Sequence, residues 1–136
     1  MTGLTWNRIK HDVKVDKMNE QHKVLFNILE ALYKAMENKD DRNALVKIIN
    51  DLITYSKQHL TTEEALLEKY DYPELAEQKE QHKLFIAKIE EFKEDFRKNH
   101  FMLHFNMAIF LKTWISNHIE VLDKKYSQFL NDRGVF

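Results

Sequence analysis

Apolar residues recur at helical spacing along most of this chain, and this periodicity constrains the fold more than any other feature. The pattern predicts an N-terminal arm and four helices, over about residues 1–18, 19–37, 41–70, 73–98 and 101–131. Asn19 is the expected N-cap of the first helix, and proline in Asp71-Tyr72-Pro73 separates the second helix from the third. Because short connections force neighbouring helices to run antiparallel, residues 1–136 are expected to form one all-α domain, an antiparallel up-down-up-down four-helix bundle.

The composition excludes several classes of function. The 21 basic and 22 acidic residues nearly balance, so nothing indicates a nucleic-acid partner or an anionic membrane surface. The absence of cysteine excludes disulfides, thiolate metal sites and cysteine nucleophiles, and the terminal positions of Gly3 and Gly134 exclude glycine-rich phosphate loops. Since no apolar segment is long enough for a signal peptide or a bilayer span, we expect a cytoplasmic protein without membrane insertion.

Polar residues interrupt the apolar stripe of every predicted helix. In the third helix, steps of three and four residues lead from Leu75 through Gln78 and His82 to Phe85. The same steps place imidazoles and carboxylates on the core-facing stripes of the other helices: His22 in the first, His59 and Glu63 in the second, and His118 in the fourth, with Asp123 at the stripe's edge. The predicted core therefore contains a cluster of polar groups.

A metal ion is the simplest explanation of this set of residues. Burying an unpaired imidazole or carboxylate costs several kcal/mol, and a cation placed among such groups removes that penalty. A single core histidine is usually satisfied by a carbonyl, but four histidines and two carboxylates on four helices fit a sulfur-free iron, manganese or zinc site. With antiparallel helices laid side by side, all six residues fall at the same end of the bundle.

The spacing between His118 and Asp123 is unusual for two residues on one face. Five residues in an ideal helix turn the second side chain by about 140° from the first. Either Asp123 reaches sideways, or the helix contains a local π-type bulge, a feature that often marks functional sites.

These residues resemble the hemerythrin family, and within it the single-domain bacteriohemerythrins. The resemblance covers nearly the whole chain and rests on Trp6-Asn7, residues 19–26 around His22, His59-x-x-x-Glu63, Tyr72-Pro73 leading to residues 82–85, and Trp114 leading to His118-x-x-x-x-Asp123. It implies an O2-binding non-haem di-iron centre, with an oxo or hydroxo bridge between the two irons.

The resemblance also implies a role for each candidate ligand. Glu63 and Asp123 would bridge the irons, and His22 and His59 would ligate the iron that keeps an open position for O2. The closed iron would be held by His82, His118 and a third histidine.

This chain departs from the family pattern at that third histidine, where it has Gln78. Gln78 would be a weak ligand through its amide oxygen or would hold a water, and Glu74, about 6 Å away along the helix axis, is a less suitable replacement. A more symmetric site with an extra exchangeable position is expected to autoxidise faster or to show peroxide chemistry. The alternative is that Gln78 or a water fills the position and O2 binding survives, because one altered ligand usually tunes a metal without abolishing its binding.

Reversible O2 binding, in a carrier, store or sensor, is the leading prediction, with an enzyme less favoured. An apolar wall is expected to keep water from the site, formed by Phe26, Tyr55, Leu66, Phe85, Trp114, Ile115 and Ile119. The alternatives are a di-iron oxidoreductase consuming peroxide or oxygen, which Gln78 favours, and a metal-free or mononuclear bundle that serves as an interaction module. No HExxH motif supports a zinc hydrolase. A reductase or an oxygen-consuming enzyme is the expected protein partner.

The remaining histidines are not expected to join the cluster. His11 lies in the arm and is predicted to be solvated. His100 and His104 are four residues apart and suit a surface metal, but His104 lies about 21 Å along the helix from His118.

Overall fold

In the computed structural model, which describes residues 5–38, 42–99 and 102–136, the chain is helical, and no β-strand occurs within these ranges. The arm contains one helical turn, α1 (Arg8–His11), and the first long helix is α2 (Asp16–Glu37). With α2 as the first, the chain forms four helical columns. The second column consists of α3 (Arg42–Tyr55), a π-helical segment (Ser56–Leu60) and α4 (Thr61–Lys69), and the third is α5 (Leu75–Arg97). The fourth column consists of α6 (Leu103–Trp114), a second π-helical segment (Ile115–Leu122), a 3-10 turn (Asp123–Lys125) and α7 (Tyr126–Asn131).

The columns pack side by side around a common core. Helix α2 packs against α3 and α6, and α5 packs against α3, α4 and α6. Among the described helices, none combines the length and the apolar character that crossing a membrane requires.

The turn between the second and third columns follows from its local sequence. Asp71 adopts a left-handed conformation with φ 54°, and the backbone N–H of Tyr72 bonds back to the carbonyl of Leu67 at 3.0 Å. A left-handed residue with a bond of this kind is a common helix ending, and Pro73 directly after it prevents the helix from continuing.

The expected N-cap at Asn19 is wrong, because α2 begins three residues earlier, at Asp16. Asn19 lies inside the helix, and its side-chain oxygen accepts a hydrogen bond of 2.9 Å from the backbone N–H of Val13. Its amide nitrogen donates to Asp12 Oδ1 at 2.7 Å. The side chain of Asn19 therefore connects the N-terminal arm to α2 through hydrogen bonds instead of capping the helix.

The prediction that His11 is solvated is also wrong, since its side chain is only 2% exposed. Its Nδ1 accepts a 2.7 Å hydrogen bond from the backbone N–H of Asn7, and its Nε2 lies 3.3 Å from Glu120 Oε1. The ring meets that of Phe26 edge-on, with centroids 4.6 Å apart. Burial lowers the pKa of His11 in spite of Glu120, so the arm closes over the bundle through a neutral imidazole.

Two clusters of buried apolar residues form the core. The larger one fills the space between the columns and includes Leu25, Leu60 and Ile89, while the smaller one includes Met18, Leu67, Tyr72, Tyr126 and Leu130. Met18 and Leu25 lie on either side of His22 in the sequence, as Leu60 and Leu67 do around Glu63. A polar layer therefore separates the two apolar clusters.

We predict that Leu29→Ala destabilises the protein far more than Leu84→Ala. Leu29 is 0% exposed in the larger cluster, whereas Leu84 is 56% exposed on α5. Truncating a buried leucine typically costs about 2–5 kcal/mol, and a surface change away from special features about 0.5 kcal/mol or less. Urea unfolding followed by circular dichroism measures both, and equal losses would contradict this description of the core.

Candidate metal centre

The structure brings the six predicted imidazole and carboxylate residues together in the polar layer. They form two overlapping groups, within each of which the potential ligand atoms lie within 4.8 Å of one another. One group is His22, His59, Glu63 and Asp123, and the other is Glu63, His82 and His118. All six side chains are 3% exposed or less. The helical spacing of these residues thus predicted a real convergence in space.

One oxygen of each carboxylate faces the pair His22 and His59. The Nε2 atom of His22 lies 3.2 Å from Asp123 Oδ2 and 3.6 Å from Glu63 Oε2. The Nε2 atom of His59 lies 3.4 Å from the same Glu63 oxygen.

The other oxygen of each carboxylate faces the pair His82 and His118. The Nε2 atom of His82 lies 3.0 Å from Glu63 Oε1. The Nε2 atom of His118 lies 3.1 Å from Asp123 Oδ1 and 3.8 Å from Glu63 Oε1. Each carboxylate therefore offers one oxygen to each pair of imidazoles, which is the arrangement that bridging two cations requires.

A π-helical segment brings His118 and Asp123 to the same side of the fourth column. The segment spans Ile115–Leu122, so one of the two alternatives left open by the five-residue spacing, the π-type bulge, is confirmed. A second π-helical segment, Ser56–Leu60, carries His59 and was not predicted. The four-residue spacing between His59 and Glu63 fits an ordinary helix, so it did not indicate a π-helical segment here.

Hydrogen bonds orient two of the imidazoles. The Nδ1 atom of His59 lies 2.6 Å from Gln21 Oε1, and the Nδ1 atom of His82 lies 2.7 Å from Glu64 Oε2. Both oxygens are acceptors, so each Nδ1–H donates. In the neutral ring, the lone pair is then on Nε2, the atom that faces the shared carboxylates. Partners of this kind typically orient histidines that bind metals.

Other neighbours hold the centre from the side of the fourth column. The hydroxyl of Tyr126 donates a 2.8 Å hydrogen bond to Glu63 Oε2. The indole of Trp114 stacks on the ring of His118, with centroids 4.0 Å apart and an interplanar angle of 11°. The contacts of Gln21, Glu64 and Tyr126 were not predicted. Of the three, only Tyr126 has a sequence position, three residues after Asp123, that could have indicated its role.

The buried charges shift one another's pKa values. Burial by itself would lower the pKa of His22 and His118, but the nearby Asp123 and Glu63 outweigh it and raise both to about 9. Burial would raise the pKa of the two carboxyls, but the surrounding histidines lower it. The pKa of His59 is lowered, chiefly by burial. The imidazoles and carboxyls therefore attract one another, and a cation bound among them would compete with their protons.

The donor set fits a pair of cations. Several buried atoms that face its centre make no hydrogen bond of good geometry in the part of the chain that the structure describes, although some lie close to one another: Nε2 of His22 and of His118, Asp123 Oδ2 and Gln78 Oε1. Buried polar atoms are normally paired, so a set of unpaired nitrogen and oxygen atoms that converge on one place indicates a missing partner of opposite charge.

Gln78 lies in the same layer and contacts a shared carboxylate. Its Nε2 donates a 2.8 Å hydrogen bond to Asp123 Oδ1, which leaves its unpaired Oε1 free to accept. Glu74, the less suitable replacement, instead pairs with Lys125 near the surface, its Oε1 lying 3.7 Å from Lys125 Nζ.

Six of the seven residues predicted to form the apolar wall are buried. Leu66 is only partly buried and packs against the smaller cluster. That correction follows from the position of Leu66, three residues beyond Glu63 and thus on the far side of the polar layer.

The fold and the site together define a helical protein with a buried imidazole–carboxylate centre for cations. A family model described as the Hemerythrin HHE cation binding domain matches residues 13–130. The chain belongs to the hemerythrin family, which confirms the resemblance seen in the sequence.

Several known proteins are similar to this chain over most of their length. A bacteriohemerythrin from Clostridium acetobutylicum is 31% identical over 121 residues, covering 85% of this chain and 92% of that protein. A myohemerythrin from Riftia pachyptila is 30% identical over 114 residues, covering 84% and 83%. A crystal structure of wild-type hemerythrin superimposes with a TM-score of 0.84 at 24% identity, covering 92% and 95% of the two chains, which supports the fold.

We predict that Glu64→Gln weakens metal binding, whereas Glu68→Gln on the exposed side of α4 does not. The carboxylate of Glu64 strengthens His82 as a donor, and loss of such a partner typically lowers metal affinity about 10–100-fold. Anaerobic titration against a competing chelator measures the affinity of each variant. Equal affinities for wild type and Glu64→Gln would show that this contact does not support the centre.

Proposed function

We propose that this protein binds O2 reversibly at a non-haem di-iron centre. The observation that carries the proposal is the division of four imidazoles into two pairs that share the carboxylates of Glu63 and Asp123. Membership of the hemerythrin family and similarity to proteins named bacteriohemerythrin and myohemerythrin support iron and O2 in particular.

In this proposal each ligand belongs to one of two irons. His22 and His59 would hold one iron, His82 and His118 would hold the other, and Glu63 and Asp123 would be shared between the two. A pair of ferrous ions held there would supply the electrons that reversible O2 binding requires.

The chain's own residues keep such a centre dry and in place. Phe85, Ile115 and Ile119 are fully buried beside it and exclude bulk water, which strengthens the electrostatic interactions inside. Tyr126 holds the Glu63 carboxylate from the side of the smaller apolar cluster. These contacts favour binding and release of a small ligand over its reaction with solvent.

Gln78 tunes the centre in this proposal. Its amide nitrogen fixes Asp123 through the 2.8 Å hydrogen bond, and its Oε1 is left to ligate the second iron weakly or to hold a water there. Either role gives that iron a weaker third donor than an imidazole nitrogen.

We also propose that residues 1–136 form one domain, an antiparallel up-down-up-down four-helix bundle. The contacts of α2 with α3 and α6, and of α5 with α3 and α6, support this arrangement. It explains how ligands near the start of α2 and α5 meet ligands near the end of the second and fourth columns. A reductase or oxygen-consuming partner stays a prediction.

Iron loading and gas cycling test the proposed function. Anaerobic loading with Fe2+ should give about two irons per chain, and cycling between air and argon should change the visible spectrum reversibly. Steady consumption of peroxide, or of O2 with a reductant, would instead support the oxidoreductase alternative. Fewer than about one iron per chain would exclude both.

We predict that Gln78→His slows the oxidation of the reduced, iron-loaded protein in air, because a third imidazole closes the second iron. Gln78→Leu is the matched control, since it removes the amide and its bond to Asp123 without adding a ligand. Stopped-flow and minutes-scale absorbance measure the loss of O2-binding capacity in each variant, and iron analysis checks loading. Unchanged lifetime and iron content in Gln78→His would show that this position does not tune the centre.

A further inference from the structure

The side chain of Tyr55 approaches the centre from the end of α3. Tyr55 comes one turn before His59, and its ring stacks on the imidazole, with centroids 5.1 Å apart and an interplanar angle of 21°. Its other face lies toward Phe85, whose ring centroid is 6.0 Å away. The phenol is therefore part of the wall on the side of the pair His22 and His59.

The hydroxyl of Tyr55 is a donor without an acceptor. The residue is 4% exposed, and its hydroxyl oxygen is buried and has no hydrogen-bond partner among the residues that the structure places. Tyr126, the other buried tyrosine near the centre, uses its hydroxyl to hold Glu63. Buried hydroxyls are rarely left unpaired, so the unused donor of Tyr55 requires an explanation.

The phenol of Tyr55 offers a hydrogen-bond donor beside the cluster. Its ring stacks on His59, and His59 belongs to the group that shares Glu63 and Asp123. A tyrosine hydroxyl is protonated near neutral pH and can donate. A group with a lone pair on this side of the centre is the partner that the buried hydroxyl lacks.

A surface cavity borders this side of the centre. The cavity has a volume of about 390 Å³ and lies between α2 and α3, where Gln21, Tyr55, Gln58 and His59 form part of its lining. A diatomic molecule or a small anion that enters the cavity meets Tyr55 and His59 in the same wall.

We propose that Tyr55 donates a hydrogen bond to the small exogenous ligand bound at the metal that His22 and His59 hold. This inference rests on the proposed function and deepens it, because it assigns a protein donor to the ligand itself. The ligand class is a diatomic molecule or small linear anion with lone pairs, such as O2 or azide. The apolar wall around the site thus contains one polar contact, directed at the bound ligand.

Azide binding to the oxidised, iron-loaded protein tests the proposal. Tyr55→Phe should bind azide about tenfold more weakly than wild type, because it loses one hydrogen bond to an anion. Tyr33→Phe is the matched control, since Tyr33 is also buried in the larger cluster but lies 11 residues beyond His22 on α2. Absorbance titration gives the dissociation constants, and iron analysis confirms that each variant carries two irons.

The azide stretching frequency, measured by vibrational spectroscopy on the same samples, tests the hydrogen bond directly. The wild-type protein alone can give this result, so the test does not depend on how well the variant folds. The azide stretching frequency of the wild type should shift in D2O, and Tyr55→Phe should lose that shift while Tyr33→Phe keeps it. A wild-type protein that holds two irons and binds azide without a shift in D2O would overturn the role of Tyr55 but leave the proposed function intact. Equal azide affinity in Tyr55→Phe and wild type would also overturn the role of Tyr55.

Discussion

The desolvation of four imidazoles and two carboxylates inside a helical core is the constraint on which the rest of this structure depends. No helix gains by burying such groups alone, because each has lost its contacts with water. They are tolerated only together, where the Nε2 atom of each of the four histidines lies 3.0–3.8 Å from a carboxylate oxygen. The helices must therefore meet in one register, and the apolar clusters on both sides of the polar layer hold them there.

The two halves of the centre are not equivalent. His59 is oriented by the neutral amide of Gln21, whereas His82 is oriented by the carboxylate of Glu64. A charged acceptor makes the imidazole a stronger donor to a cation than a neutral one does. Gln78 donates to the Asp123 oxygen that faces His118, so it lies in the same half of the cluster as the more strongly donating imidazole.

The fold class and the convergence of the centre could be predicted from the sequence, because helical periodicity determines which residues share a face. The supporting contacts could not. Gln21 and His59 are 38 residues apart and Tyr126 and Glu63 are 63 apart, so only the tertiary packing brings them together. His11 and Asn19 were misjudged for the same reason: each is a polar residue whose partners, Glu120 in one case and the backbone of the arm in the other, depend on how the arm folds back.

The π-helical segment at Ile115–Leu122 also links the candidate ligands of the fourth column to its packing. A wide turn accommodates one residue more than the ordinary helix and rotates everything that follows by about 100°. That rotation carries Asp123 toward His118, and it equally sets the direction in which Tyr126 and Leu130 enter the smaller apolar cluster. The number of residues in this segment is therefore restricted twice, by the position of Asp123 and by the packing of the smaller apolar cluster. Losing a single residue there would turn the Asp123 carboxylate away from the cluster and also displace Tyr126 and Leu130 from the smaller apolar cluster, so the segment can vary in residue type far more readily than in length.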